Sequence, residues 1–357
     1  MTPIRVLVVD DSLTVRKRIV EVLSADREIS VVAEAGDGKQ AIELCERLRP
    51  DAITLDMMLP VMSGLSATEY IMAHFPTPIL VVSASTNRGE LFKTYEALAA
   101  GAVDVLEKPT GAEPDGDWER RLLSTVKLVS RIRVITHPRA RLSGFGPRSP
   151  DRTAVGPAPR GVARRVVAIG ASTGGPGAVV AILRSLPVPF PVPVLLVLHI
   201  GEPFGAAFAE WLDGQSGLRV VTARDDESLA QLAGQVVMAP PDRHLVIERG
   251  RTCLTSGPER HSCRPSVDVL FESLAREMGA ETVACLLTGM GRDGATGLLA
   301  IRRAGGITFA QDEATSVVYG MPREAALLDA ASQVLPLAEI GPALAAASRD
   351  ETRGRPR

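Results

Sequence analysis

Residues 166–175, VVAIGASTGG, pass from a β-branched apolar run into a glycine cluster, with Ser172 held at the bend. An apolar run of this length reads as a buried strand ending in a tight turn that feeds the helical pattern PGAVVAILRSL at 176–186. The same alternation continues downstream. VPVLLVLH (192–199), LRVVTA (218–223), QVVMAP (235–240), HLVIE (244–248), TVACLLTG (282–289) and ITFAQ (307–311) read as further strands, separated by helical patterns. Strands alternating with helices predict an α/β fold, a doubly wound parallel sheet with helices on both faces.

The N-terminal part of the chain repeats the alternation with different motifs. IRVLVV (4–9), ISVVAEA (29–35), AITL (52–55), PILVVS (78–83) and AVDVLE (102–107) predict five strands of a second parallel sheet, and 118–134 its last helix. At 357 residues the chain has the length of two domains. Between Pro138 and Arg165 lie five prolines, four glycines, seven arginines and one acid, without hydrophobic periodicity. Such a segment cannot bury enough apolar surface to pack, so it reads as a flexible basic linker; the competing reading is a basic binding patch. The expected organisation is therefore 1–137, a linker at 138–163, 164–345, and a charged, frayed tail at 346–357.

Composition narrows the class. A net charge of −2 argues against a nucleic-acid binder with a basic surface. Cys45, Cys253, Cys263 and Cys285 contain no C-x-x-C pair, which suits a reducing, cytoplasmic setting with Cys45 and Cys285 as core thiols. MTPIRVLVV meets Asp10 and Asp11 at once and is no signal peptide; LPVPFPVPVLLVLHI (186–200) is broken by prolines, so no membrane insertion is expected.

Ligands of open parallel sheets sit at the carboxyl ends of the strands. In the N-terminal half those ends carry Asp10 and Asp11, Asp56, Ser83, and Lys108 before Pro109. Converging carboxylates repel one another, and a hard divalent cation such as Mg²⁺ relieves that repulsion. A carboxylate beside such a cation can attack a phosphoryl donor, with Lys108 pairing to the phosphoryl oxygens and the Ser83 hydroxyl following them.

In the C-terminal half, GASTG fits G-x-S-x-G, a turn that exposes a serine hydroxyl above a sheet. The same residues also read as a phosphate loop at a helix N-terminus, or make Ser172 an N-cap. A dinucleotide site expects an acid at the end of the next strand, and that strand ends in His199. Of five histidines, His199 alone closes an apolar strand of this half. Asp293 follows the strand TVACLLTG and a glycine turn, where it either caps the next helix or serves as an orienting acid. Ser172, His199 and Asp293 thus fall at strand ends on one rim and supply nucleophile, base and orienter. Their order differs from the Ser…Asp…His order of α/β-hydrolases.

Two resemblances sharpen these readings. VLVVDDS, LDMMLPVMSG, VVSAS and EKP resemble a response-regulator receiver domain. The resemblance implies a flavodoxin-like fold, Asp56 as phosphoacceptor, Asp10 and Asp11 (with Asp56) as Mg²⁺ ligands, and Ser83 and Lys108 as the switch pair. Many receivers carry an aromatic residue three before the lysine, where this chain has Val105.

AIGASTGGP, LHI, CRPSVDVLFESLA, LLTGMGRDGATGL and AQDEATSVVYGMPREA resemble the chemotaxis protein-glutamate methylesterases, the CheB family. That resemblance implies phosphorylation-regulated hydrolysis of glutamate γ-methyl esters on chemoreceptors, with deamidation of receptor glutamines in many members. It implies a CheA-type histidine kinase as phosphodonor and a resting receiver that obstructs the catalytic rim. By position it makes Ser172 the nucleophile, His199 the base and Asp293 its partner, with no cofactor in this half. Backbone donors at Thr173 and Met290 suit the oxyanion. A rival reading keeps the receiver and makes the C-terminal half a non-enzymatic module that binds a partner or a nucleotide.

Overall fold

The structure is a computed structural model that describes residues 2–84, 87–109, 116–132, 134, 163–201 and 204–349. It divides into two compact units, Met1–Phe145 and Gly146–Arg357. The expected linker, 138–163, lies outside the described residues except for Ala163.

In the first unit, β1 (Ile4–Val9), β2 (Ile29–Ala35), β3 (Ala52–Leu55), β4 (Ile79–Ser83) and β5 (Asp104–Glu107) form a parallel sheet in the order β2-β1-β3-β4-β5. Helices α1 (Leu13–Ser24), α2 (Gly38–Leu48), α3 (Gly64–His74), α4 (Arg88–Ala99) and α5 (Asp117–Val129) alternate with the strands. β3 and β4 are buried along their whole length, which accounts for their largely apolar sequence, with Thr54 and Ser83 as the buried polar residues. Ser12, Asp37, Ser63 and Asn87 start α1 to α4 by accepting a backbone N–H of the first turn. The last helix is shorter than its apolar pattern. It closes after Val129 with tight turns, Arg131 N–H to Leu128 O and Ile132 N–H to Val129 O.

The second unit is built on seven parallel strands in the order β14-β13-β12-β6-β7-β9-β8. These are β6 (Val166–Ala171), β7 (Val194–Leu198), β8 (Arg219–Thr222), β9 (Gln235–Met238), β12 (Thr282–Leu286), β13 (Ile307–Gln311) and β14 (Gln333–Leu335). The winding reverses between β6 and β12, so the crevice beyond their carboxyl ends is the topological switch point. Around the sheet lie α6 (Gly175–Ser185), α7 (Phe204–Asp213), α8 (Val267–Glu277), α9 (Ala295–Arg303), α10 (Met321–Leu327) and α11 (Leu337–Ala347).

Three details depart from the sequence reading. HLVIE is a strand, β10 (His244–Glu248), but it pairs antiparallel with β11 (Arg251–Thr255) in a separate hairpin. A lone apolar run does not reveal which partner it meets. β14 has only three residues and was not distinguishable by periodicity. The chain also stays ordered past the expected start of the tail: α11 runs to Ala347, and the buried Ser348 hydroxyl bonds Leu344 O.

Candidate functional site

Ser172 follows Ala171 at the end of β6, and Ala171 is the register partner of Leu198 in β7. Ser172 and His199 therefore stand side by side on the rim, and the His199 N–H bonds Ala171 O at 3.0 Å. Ser172 does not cap α6. The capping position is Gly174, without a side-chain bond, and Ser172 is tied by its backbone, N–H to Thr288 O at 3.0 Å. Gly289 lies against it: a Cβ on Gly289 would come within 2.7 Å of Ser172 Cβ and collide with Met321 Sδ. The β12 loop can approach Ser172 this closely only because residue 289 has no side chain.

Asp293 likewise does not cap the helix that follows it; α9 begins after Gly294 with no side-chain cap. Its carboxylate turns instead to the N-terminus of α8. Oδ1 accepts the Ser266 hydroxyl at 2.7 Å and the Asp268 N–H at 3.1 Å, and Oδ2 accepts the Val267 N–H at 2.7 Å. Oδ2 also meets His199 Nε2 at 2.9 Å. α8 can come this close because Gly170, at the end of β6, leaves room for the Val267 side chain.

Burial alone would raise the Asp293 pKa, yet His199, Ser266 and the Val267 N–H hold it below the ordinary value. The magnitudes agree: each hydrogen bond to a charged acceptor contributes about 1.5–3 kcal/mol, and several together offset a desolvation cost of several kcal/mol. Asp293 is a fixed anion at a helix N-terminus.

His199 is nearly buried, which works against its charged form. The hydrogen bond to Asp293 and the neighbouring Cys263 sulfur outweigh burial and raise its pKa to about 9. The ring's other nitrogen, Nδ1, is 3.7 Å from Cys263 Sγ. An imidazole held at Nε2 by a carboxylate, in a residue whose backbone stands beside Ser172 on the rim, can accept and return a proton at its other nitrogen. Thr173 and Met290 flank this point. Neither backbone N–H donates to another group among the described residues, and the Met290 side chain is half exposed.

Sequence reasoning missed Ser266, Cys263 and the α8 N-terminus. The signal for Ser266 was present, a serine immediately before the helical run VDVLFESLA, whose Val269 N–H it caps at 3.4 Å. Cys263 carried none, because its neighbour is 64 residues away.

In the first unit, Asp10, Asp11 and Asp56 present carboxylate oxygens within 4.8 Å of one another at the β1/β3 switch point. Lys108 Nζ bridges Asp10 Oδ2 and Asp56 Oδ2 at 2.9 Å each. Burial raises the Asp10 pKa against the pull of Lys108. Asp56 Oδ1 is buried and has no hydrogen-bond partner among the described residues. One ammonium among three carboxylates, with an orphaned buried oxygen, fits a hard divalent cation held by oxygen ligands. Ser83 faces elsewhere: its hydroxyl donates to Glu90 Oε1 of α4 at 3.0 Å, and the Ala84 N–H donates to the same oxygen at 3.0 Å.

Comparison with known proteins adds family context to this geometry. The family described as CheB methylesterase matches residues 167–344, and the response regulator receiver domain matches residues 6–114. A protein-glutamate methylesterase/protein-glutamine glutaminase of Nitrosospira multiformis is 45% identical, covering 98% of this chain and 99% of its own. Proteins of the same description from Anaeromyxobacter dehalogenans (44% identical, 96% of both chains) and Pseudomonas aeruginosa (42%, 96% of both) are also similar. No helix among the described residues is long and apolar enough to cross a membrane.

Proposed function

The chain belongs to the CheB methylesterase family, with a receiver domain ahead of the esterase domain, and from that premise we propose a mechanism and a substrate. Ser172 attacks the carbonyl of a glutamate γ-methyl ester on a chemoreceptor. His199 takes the serine proton at Nδ1 and passes it to the departing methanol, and water then hydrolyses the acyl-enzyme by the same route. Asp293 keeps the Nε2 proton of His199 in place, and the Thr173 and Met290 N–H groups receive the oxyanion. A receptor glutamine passes through the same steps with ammonia as the leaving group. The observation that carries this reading is the 2.9 Å contact of His199 Nε2 with Asp293 Oδ2, one strand away from Ser172.

The receiver is a phosphorylation module that takes its phosphoryl group from a histidine kinase, here of the CheA type. Asp56 is the acceptor, and Asp10, Asp11 and Asp56 would hold Mg²⁺, which when bound neutralises charge around the phosphoryl group. Phosphorylation shifts the population towards an esterase-competent state. The organisation is a receiver at 1–137, a linker at 138–163 and an esterase domain from 164 to about 345, and the free thiols suit the cytoplasm.

The test is methanol release from methylated receptor, with and without a phosphodonor. Ser172→Ala should lower turnover by a factor on the order of 10⁶ without changing the unfolding temperature. Turnover within tenfold of the unmodified protein would remove Ser172 from the mechanism.

A further inference from the structure

His199, Cys263 and Asp293 offer a nitrogen, a sulfur and an oxygen within 4.8 Å of one another. Only two of these are available to a ligand. Asp293 is occupied by the Ser266 hydroxyl and the Val267 and Asp268 N–H groups, and it holds His199 at Nε2. His199 Nδ1 and Cys263 Sγ face each other at 3.7 Å, both partly exposed. Zinc bonds of about 2.3 Å to sulfur and 2.0–2.1 Å to nitrogen, at a tetrahedral angle, separate the two ligand atoms by about 3.6 Å. An imidazole whose far nitrogen is fixed by a carboxylate is also the arrangement that orients metal-binding histidines.

The loop that carries Cys263 is already set. Arg260 and Cys263 exchange backbone hydrogen bonds at 3.1 and 2.9 Å. Arg260 forks onto Glu272 at 2.6 and 2.7 Å, and Arg264 onto Asp242 at 2.8 and 2.6 Å. The sulfur is therefore presented to the imidazole with little left to order. Of the other thiols, Cys45 and Cys285 are buried, and Cys253 is partly exposed like Cys263 but falls in no such ligand cluster among the described residues.

We propose that His199 Nδ1 and Cys263 Sγ form a binding site for a thiophilic divalent cation, Zn²⁺ above all, and that occupancy inhibits the esterase. At neutral pH binding releases two protons, one from the thiol as it becomes a metal thiolate and one from Nδ1 of the imidazolium, whose freed lone pair fills a second position; water completes the shell. The ion then holds the nitrogen that accepts the serine proton. A sulfur–nitrogen pair selects zinc over magnesium, whereas the all-oxygen cluster of Asp10, Asp11 and Asp56 has the opposite preference. Inhibition rests on the reading of His199 as base; the site itself does not.

The experiment uses the full chain, freed of metal, with Co²⁺ as spectroscopic probe and Zn²⁺ as inhibitor. Co²⁺ should produce a near-ultraviolet sulfur-to-metal charge-transfer band in the unmodified protein and in Ser172→Ala, and no band in Cys263→Ser. The zinc concentration that halves methanol release should rise more than tenfold in Cys263→Ser. Absence of the band in the unmodified protein, or its persistence in Cys263→Ser, overturns the site. A band accompanied by full hydrolysis at saturating zinc keeps the site and overturns the inhibition, and with it the assignment of Nδ1 as base.

Discussion

The two units place carboxylates at the same topological position and balance their charge in opposite ways. At the β1/β3 switch point Asp10 and Asp56 share one ammonium, and an oxygen of Asp56 has no partner among the described residues. At the β6/β12 switch point Asp293 accepts Ser266, Val267 and Asp268 besides His199. An under-neutralised cluster is a receptor for charge that arrives later, a cation and a phosphoryl group. A saturated carboxylate is a fixed reference that keeps an imidazole in one orientation. The fold supplies the position, and the number of donors around each acid decides its chemistry.

That contrast gives opposite signs for the same substitution. Asp293→Asn should lower turnover by about 10⁴ by holding the wrong His199 tautomer. It should also destabilise the esterase unit by about 2–3 kcal/mol as charge-assisted bonds are lost. Asp10→Asn should instead stabilise the unliganded receiver, by about 1 kcal/mol, because it removes a buried like charge. Thermal unfolding of the two variants measures both effects, and a shift in the same direction for both breaks the comparison.

The proposed base, His199, gives the next effect in size. With the His199 pKa at about 9, most of the imidazole is protonated at neutral pH, and kcat/KM should climb about tenfold per pH unit from 7 towards 9. The stability sign follows from the raised value. Its contribution is complete below the unfolded value of about 6.5 and is lost as pH rises through about 9. Cys263 helps to hold the proton, so Cys263→Ala should move the acid limb of the rate profile to lower pH. An unmoved limb would leave Asp293 as the only group acting on the ring.

Much of this was legible before any coordinates. β1, β2 and β3 begin and end where the runs IRVLVV, ISVVAEA and AITL do, and β3, like β6, β7 and β12, is buried on both faces, which keeps its run largely apolar to the ends. Ser172, His199 and Asp293 were legible as strand-end residues for the same reason. What holds Asp293 was not. The natural expectation for an aspartate before a helix is to cap that helix, and Gly294 and Gly170 instead let α8 reach it from elsewhere in the chain. The pairing of Cys263 with His199 and of Ser83 with Glu90 was equally hidden, since sequence periodicity reports which face a residue occupies and not which side chain it meets.

Ser266 shows how finely the saturated side is set. Ser266→Ala removes one donor from Asp293 Oδ1, which should cost about 1–2 kcal/mol of stability and about tenfold in turnover. Ser266 is a positioning residue, so its mark is in the pH profile. With less stabilisation of its charge, Asp293 holds the shared proton more strongly and the His199 limb should rise. A loss of rate with no rise would make Ser266 a helix cap alone.

The smallest effect is expected where the receiver lacks its ring. Val105 stands where many receivers carry an aromatic residue, so the state of Ser83 has to be set by other neighbours. Glu90 is one of them: its Oε1 takes the Ser83 hydroxyl and the Ala84 N–H together, from a first helical turn that Asn87 fixes by accepting the Glu90 N–H at 3.0 Å. On the proposed assignment of Asp56 as acceptor and Ser83 as switch, a phosphoryl group would have to win that hydroxyl from a carboxylate, and the strength of the resting bond would set part of the switching threshold. Glu90→Gln leaves a neutral acceptor of the same shape and weakens the bond by roughly 0.5–1 kcal/mol. The beryllofluoride concentration giving half-maximal activation of methanol release should then fall about threefold. The same concentration, or a higher one, would make the Ser83–Glu90 pair a brace of the β4–α4 turn, leaving the aspartate–lysine pocket to switch without it.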